Sequence, residues 1–192
     1  MMSARTKLFL ACLAAALAIG CGAKSRKPAD ADFSVNNNSS VVVMGVSPVA
    51  RLRAYQGWVD GKQWEQAQLA EAKINALPES GYIVAAIEPS LKGDSYGIMR
   101  VIPAVMNVLS VCTGGSTAFF EVPPNSVVYI GDFHLATEPE YEVEVGYEFD
   151  KALAFMKATY PELAKKLSKG KAKVAKVTNG QCDGKPVSFV GK

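Results

Sequence analysis

The segment Tyr141-Glu142-Val143-Glu144-Val145 alternates apolar and acidic residues without a break. A chain with that period lays the segment down as a β-strand with one buried face and one wet face. Glu138 and Glu140 extend the pattern backward, and Tyr147 and Phe149 extend it forward. On this reading Tyr141, Val143, Val145 and Tyr147 face a core. Glu140, Glu142 and Glu144 face water, spaced about 6.6 Å apart, too far for one ion to bridge two carboxylates unaided. The acidic row therefore reads as a solvated face rather than a cation site, and no metal set is expected.

Short apolar runs bounded by Gly, Pro, Asn or Ser predict further strands over Val41 to Val46, Tyr82 to Ile87, Tyr96 to Ile102, Thr117 to Val122 and Val127 to Phe133. Val127-Val128-Tyr129-Ile130 is apolar on both faces, as in a strand covered on each side. Such short links favour antiparallel neighbours. Residues 62–77 are ambiguous, because Trp64, Ala67, Ala70, Ile74 and Leu77 have helical spacing while Ala72, Ile74 and Ala76 alternate. A strand from Ala70 to Leu77 is the preferred reading.

Asp150 can cap a helix from Lys151 to about Tyr160, with Leu153, Phe155 or Met156 and Tyr160 inward. Pro161 suits the first turn of a second short helix reaching Leu167. The alternating tail Lys171 to Val177 reads as an edge strand whose lysines discourage association. These elements predict a mainly β (α+β) fold, an antiparallel β-sandwich with a C-terminal helix appendage near 150–168, forming a single domain over 41–192.

The first twenty residues carry Arg5 and Lys7, no acid, and an unbroken apolar run from Leu8 to Ile19. That is the layout of an export signal. Twelve helical residues rise about 18 Å, short of the roughly 30 Å hydrocarbon core, so the run predicts a cleaved segment rather than a membrane span. Without Arg5 and Lys7 the 21 basic residues fall to 19 against 18 acids, a net charge of +1, which gives no argument for nucleic acid.

The end of the signal, Leu17-Ala18-Ile19-Gly20-Cys21-Gly22, resembles the lipobox of bacterial lipoproteins. The resemblance implies a diacylglyceryl group on the Cys21 sulfur, cleavage just before that residue, and often a further acyl chain such as palmitate on the new amino group. Ala18 stands where the family prefers Leu, with Leu17 one position earlier. Gly22 after the cysteine implies onward transport to the outer membrane, periplasmic face, in a two-membrane envelope. Cys12 has only four apolar residues before it and competes poorly. Residues 21–40 then form a polar, lipidated tether with Lys24, Arg26, Lys27, Pro28 and Asn36-Asn37-Asn38, on which Phe33 and Val35 can still pack against the domain.

With Cys12 in the signal and Cys21 under lipid, Cys112 and Cys182 remain. An even remainder in an oxidising compartment favours a disulfide over two free thiols or a metal pair. The stretch from Gly81-Tyr82-Ile83-Val84 to Val128-Tyr129-Ile130-Gly131-Asp132-Phe133 resembles uncharacterised bacterial lipoprotein families with transthyretin-like or immunoglobulin-like sandwiches, a similarity over about half the chain that carries no catalytic residues across.

Chemistry-bearing motifs are sparse. His134, the only histidine, follows Asp132 at a strand exit, and Thr113-Gly114-Gly115-Ser116 reads as a turn without phosphate-loop spacing. Tyr55, Trp58 and Trp64 either pack in the core or form a stacking surface for sugars. Lys151, Lys157, Lys165, Lys166, Lys169, Lys171, Lys173 and Lys176 face only Glu162 in their segment. They either pair across strands with the acidic row, at about 0 to 1 kcal/mol for each exposed pair, or form a basic patch for anionic lipid head groups or cell-wall polymer. The functional expectation is a non-enzymatic envelope lipoprotein, without cofactor, that binds an envelope protein or supports architecture. Its alternatives are a carbohydrate or peptidoglycan binding module using Tyr55, Trp58 and Trp64, and a small hydrolase built on His134.

Overall fold

Strand β1 (Ser40–Ser47) reads Ser-Val-Val-Val-Met-Gly-Val-Ser, with apolar side chains on both faces, and the fold covers both. Val42, Met44 and Val46 enter a core shared by two sheets, while Val41 and Val43 enter a second cluster beneath the helices. The computed structural model describes residues 33–192 except 106, 138 and 139. Strand β9 (Val127–Ala136) lies parallel to β1 and divides its side chains in the same way. Val128, Ile130, Phe133 and Leu135 go to the shared core, and Val127 and Tyr129 to the helical side. The two-sided apolar reading of Val127–Ile130 thus has its physical cause in two separate cores.

The first sheet adds β5 (Tyr82–Ile87), antiparallel to β1, and β10 (Glu142–Gly146), antiparallel to β9. Strand β14 (Ser188–Gly191) runs parallel to β10, giving the order β14-β10-β9-β1-β5. One edge of β9 is shared. Strand β11 (Leu167–Lys169) pairs with Val127–Tyr129, and β10 pairs from Asp132 onward. Gly131 stands between the two halves at φ 137°, where a Cβ would come 2.9 Å from the Gly146 carbonyl oxygen, so both conformation and space select glycine.

The second sheet contains β2 (Ala50–Asp60), β3 (Gln63–Gln66), β4 (Ala72–Ala76), β6 (Asp94–Pro103), β7 (Leu109–Ser110), β8 (Ser116–Phe120), β12 (Lys173–Val177) and β13 (Lys185–Pro186). Their path is β13-β7-β6-β8-β12-β3-β2-β4, and β6 also pairs with β2 over Ala50–Trp58. The extra pairing closes β2, β3, β12, β8 and β6 into a five-stranded barrel. Ladder partners share a face, which puts Gly57, Trp64, Ser95, Gly97, Thr117, Ala175 and Val177 inside it.

One large ring fills this narrow interior. Trp64 is fully buried, and its six-membered ring lies where Cβ atoms on Gly57 and Gly97 would stand, within 2.5 and 2.6 Å of them. Its Nε1 donates to Ser95 Oγ at 2.9 Å, and Thr117 Oγ1 donates to the Ile98 carbonyl at 2.6 Å, so the polar groups inside are paired. Small residues on β2, β6 and β12 therefore match one tryptophan on β3, the large-with-small fit a tight barrel needs.

Helix α1 (Phe149–Thr159) buries Ala152 and Met156 against the first sheet, with Leu153, Phe155 and Tyr160 half-buried beside them. Tyr82 and Phe155 stack at 4.4 Å. Helix α2 (Pro161–Ala164) begins at its proline, as expected, and buries Leu163 and Ala164. Asp150 proves to be a first-turn acid rather than the cap. The N-cap position is Glu148, whose side chain makes no capping bond and whose backbone N–H donates instead to Asp132 on β9 at 2.7 Å. The same carboxylate oxygen accepts from the buried Tyr129 hydroxyl, so Asp132 ties the helix start to the sheet.

The mainly β class and the presence of two C-terminal helices agree with expectation, but the second helix ends at Ala164 rather than Leu167, where β11 begins, and further details differ. Not all neighbours are antiparallel: β1 pairs in parallel with β9, and most of the second sheet is built by the chain between them. Residues 62–77 form β3 and β4, and the strand expected over Ala70–Leu77 is the narrower Ala72–Ala76. The lysine-rich β12 is no edge, since it lies between β8 and β3 inside the barrel circuit. Tyr147 is turned outward, 38% exposed, with its hydroxyl donating to the Ala172 carbonyl. Phe33 and Val35 pack on the helical cluster, as the sequence allows, and Ser40 already belongs to β1.

Candidate functional site

Cys21, the expected lipid site, lies outside the described residues, as do the rest of the signal segment and Glu138. Cys112 and Cys182 form a disulfide with Cα atoms 4.7 Å apart and a sequence separation of 70. The bond joins the strand end after β7 to the segment before β13. Around it Thr113 Oγ1 donates to the Gly180 carbonyl at 3.0 Å, and Gly114 N–H donates to the Val177 carbonyl at 2.8 Å. The Thr113–Ser116 piece is thus a turn docked on the barrel wall.

The three aromatic residues weighed between core packing and a stacking surface are not brought together on one face. Trp64 fills the barrel, and Tyr55, 9% exposed, lines a groove at the barrel wall. Trp58 is on the other face of β2, 38% exposed, with Glu65 and Asp94 as its ladder partners.

The groove holds about 280 Å³ and is lined by Tyr55, Gln66, Leu69, Met99, Arg100 and Gln181 among others. Its rim is held by Asn179, whose side chain accepts from the Gln66 N–H at 2.9 Å and donates to the Gln66 carbonyl at 2.8 Å. Leu69 projects fully into solvent from a backbone φ of 59°, a left-handed conformation that costs a leucine stability. Arg100 is paired with Asp183, which also accepts from Ser110 Oγ at 2.7 Å. Amides, a phenol, a thioether and a leucine suit contact with a peptide-like or other amphipathic surface. The groove, Leu69 above all, went unnoticed in the sequence, where only the Tyr55 signal pointed to it.

His134 lies at the exposed end of β9, its Nδ1 2.9 Å from Ser47 Oγ. Glu144 is its ladder partner, and the Lys192 ammonium, 2.5 Å from that carboxylate, holds it below the usual carboxylate range. Both Ser47 and His134 are open to water rather than enclosed. Among the described residues no group of three or more His, Cys, Asp or Glu is placed to hold a metal ion.

The lysine tail does not pair with the acidic strand as one of the two readings expected. Lys173 approaches Glu121 at 3.9 Å on its own sheet, and the acidic strand's partner is Lys192, beside β14. Lys176 also lies on β12, in the second sheet, and the other six lysines of the segment lie on the helical side. Lys151 pairs with Glu148 at 2.7 Å and Lys165 with Glu162 at 2.6 Å, while the Lys169 and Lys171 ammoniums sit 4.9 and 5.5 Å from the Phe149 and Tyr147 ring centres.

Among the described residues no helix is long and apolar enough to cross a membrane. Comparison of the chain with protein-family models, curated proteins and solved structures finds no match.

Proposed function

We propose that the chain is a lipoprotein of the bacterial cell envelope, anchored by acyl chains on Cys21, whose β body binds an envelope protein or supports envelope architecture without catalysing a reaction. The observation that carries this reading is the Arg5-to-Gly22 segment, in which two cations, twelve apolar residues and small residues lead into one cysteine. Two or three acyl chains give stable anchoring, at about 0.8 kcal/mol for each buried methylene. The Cys112–Cys182 disulfide supports it, since such bonds persist in oxidising compartments. A barrel plugged by Trp64 and a sheet covered on both faces supply a rigid scaffold for contact surfaces such as the Tyr55–Leu69 groove.

The test is metabolic labelling with radioactive palmitate. Label is expected in the native chain and absent from Cys21→Ser, which is also processed more slowly; unchanged labelling in the variant would falsify the choice of cysteine. A second reading, a carbohydrate or peptidoglycan binding module, rests on the exposed Trp58 indole between two acidic ladder partners, a stacking face beside hydroxyl acceptors. Binding to purified peptidoglycan that Trp58→Ala leaves intact would end it.

A further inference from the structure

We infer that the helical side of the molecule is its membrane face, where exposed lysines meet anionic lipid head groups. This rests on the anchoring proposed above and adds an orientation to it. The first support is where the chain enters the body. Phe33 packs edge-on against Tyr160 at 5.6 Å and Val35 joins the same cluster beneath the helices, so the segment arriving from Cys21 docks on this side. Phe33 lies twelve residues beyond Cys21. A chain of that length reaches at most about 43 Å, which bounds how far the Phe33 contact can lie from acyl chains on Cys21.

The second support is charge. Lys157, Lys166, Lys169 and Lys171 are exposed on this side and have no carboxylate partner among the described residues. Lys151 and Lys165 are matched by Glu148 and Glu162, and two further acids, Asp150 in the first turn of α1 and Asp132 beneath the helix start, stand against the four lysines. The surplus is therefore positive, and it belongs to this side of a protein whose other charges nearly cancel. Two of these ammoniums rest over aromatic rings, which holds them at the surface rather than free to fold away. An anionic bilayer surface attracts each nearby lysine, strengthening partition about fivefold per residue at low salt. The barrel and its groove lie on the opposite side of the first sheet, so this orientation points them away from the bilayer.

The experiment has two arms. In the first, the native acylated chain is placed in vesicles of phosphatidylcholine with or without one third phosphatidylglycerol, and lysines are pulse-acetylated and read by mass spectrometry. Acetylation at Lys157, Lys166, Lys169 and Lys171 is expected to slow about threefold or more in the anionic vesicles alone, while Lys62 and Lys92 on the second sheet react equally in both. Equal rates at all six positions overturn the orientation. In the second arm, the non-acylated Cys21→Ser chain is sedimented with the anionic vesicles at low salt. Binding is expected to fall tenfold or more when the four lysines become glutamine, and to survive their change to arginine, with thermal midpoints confirming that each variant is folded. Binding that ignores the glutamine changes overturns the proposal. A native chain without acyl mass whose Cys21→Ser form still binds through these lysines defeats the anchor and not the face, whereas an acylated chain that fails both arms defeats the face and not the anchor.

Discussion

The first sheet and the barrel each have two faces to keep dry, and they do it by opposite means. The first sheet borrows a cover: α1, α2 and the segment around Phe33 and Val35 lie on its outer face. The barrel makes its own cover by closing, so its inner face meets only itself and the Trp64 ring. A borrowed cover can lift. Helix α1 has 11 residues and no side-chain cap, too short to persist alone, and depends on Met156, Ala152, the Tyr82–Phe155 stack and the Asp132 tie. A closed barrel has no such separable part, because loosening any of its five strands breaks two ladders at once. The comparison teaches that the molecule is built of one rigid half and one half whose outer layer opens at lower free energy.

Three measurements test this contrast. The largest effect belongs to Trp64→Ala, which empties the barrel and removes the indole N–H that Ser95 Oγ accepts. A loss of about 3–5 kcal/mol is expected in urea unfolding of the whole chain, and a loss below about 1 kcal/mol would mean that the ring does not hold the barrel. Next comes Met156→Ala in the helical layer, at about 2–3 kcal/mol. Hydrogen exchange should then quicken in α1 and β11 and stay unchanged in β2, β6 and β8; equal quickening in the barrel would show that both halves open as one unit.

The smallest effect is a response to alkaline pH, with one buried tyrosine reporting on each half. Burial foremost, then the charges of Glu88 and Asp94, push Tyr96 up to about 12, and its hydroxyl donates to the Glu88 carbonyl. Burial and the bond to Asp132 raise Tyr129 as well. A folded value above the unfolded one, near 10, means that the contribution is complete below pH 10 and is lost as pH rises beyond it. The thermal midpoint should fall above pH 10. Tyr96→Phe should lessen the fall in the barrel-dominated transition and Tyr129→Phe in α1 exchange, and a flat profile to pH 11 contradicts both assignments.

Much of the fold was legible because it rests on period and punctuation. Alternation at Tyr141–Val145 marks β10, Pro161 marks the start of α2, and the double apolar face of Val127–Ile130 marks a strand with two cores. Strand β2 went unread although Ala50-Arg51-Leu52-Arg53-Ala54 alternates just as cleanly. Its bulges beside Arg53 and Ala54 shift the register, and Gly57 breaks the apolar face that Trp64 completes from another strand. For the aromatic residues the sequence leaves core packing and a stacking surface both open, because proximity in sequence does not say that Trp58 and Trp64 fall on opposite faces of their ladder. The disulfide was legible from counting, since two cysteines remain once Cys12 and Cys21 are assigned to the expected signal segment and the proposed lipid site.

What the sequence by itself determined is local: which stretches extend, which turn, and which face of each strand avoids water, because those follow from side-chain order along a backbone of known repeat. Only the tertiary structure decided which strands became neighbours, that β1 and β9 run parallel, that β6 returns to β2 to close the barrel, and that the lysines of the helical side gather where the chain enters. Backbone hydrogen bonds between distant strands are alike whatever residues carry them, so the choice of partner is made by how the side chains of the whole molecule pack together.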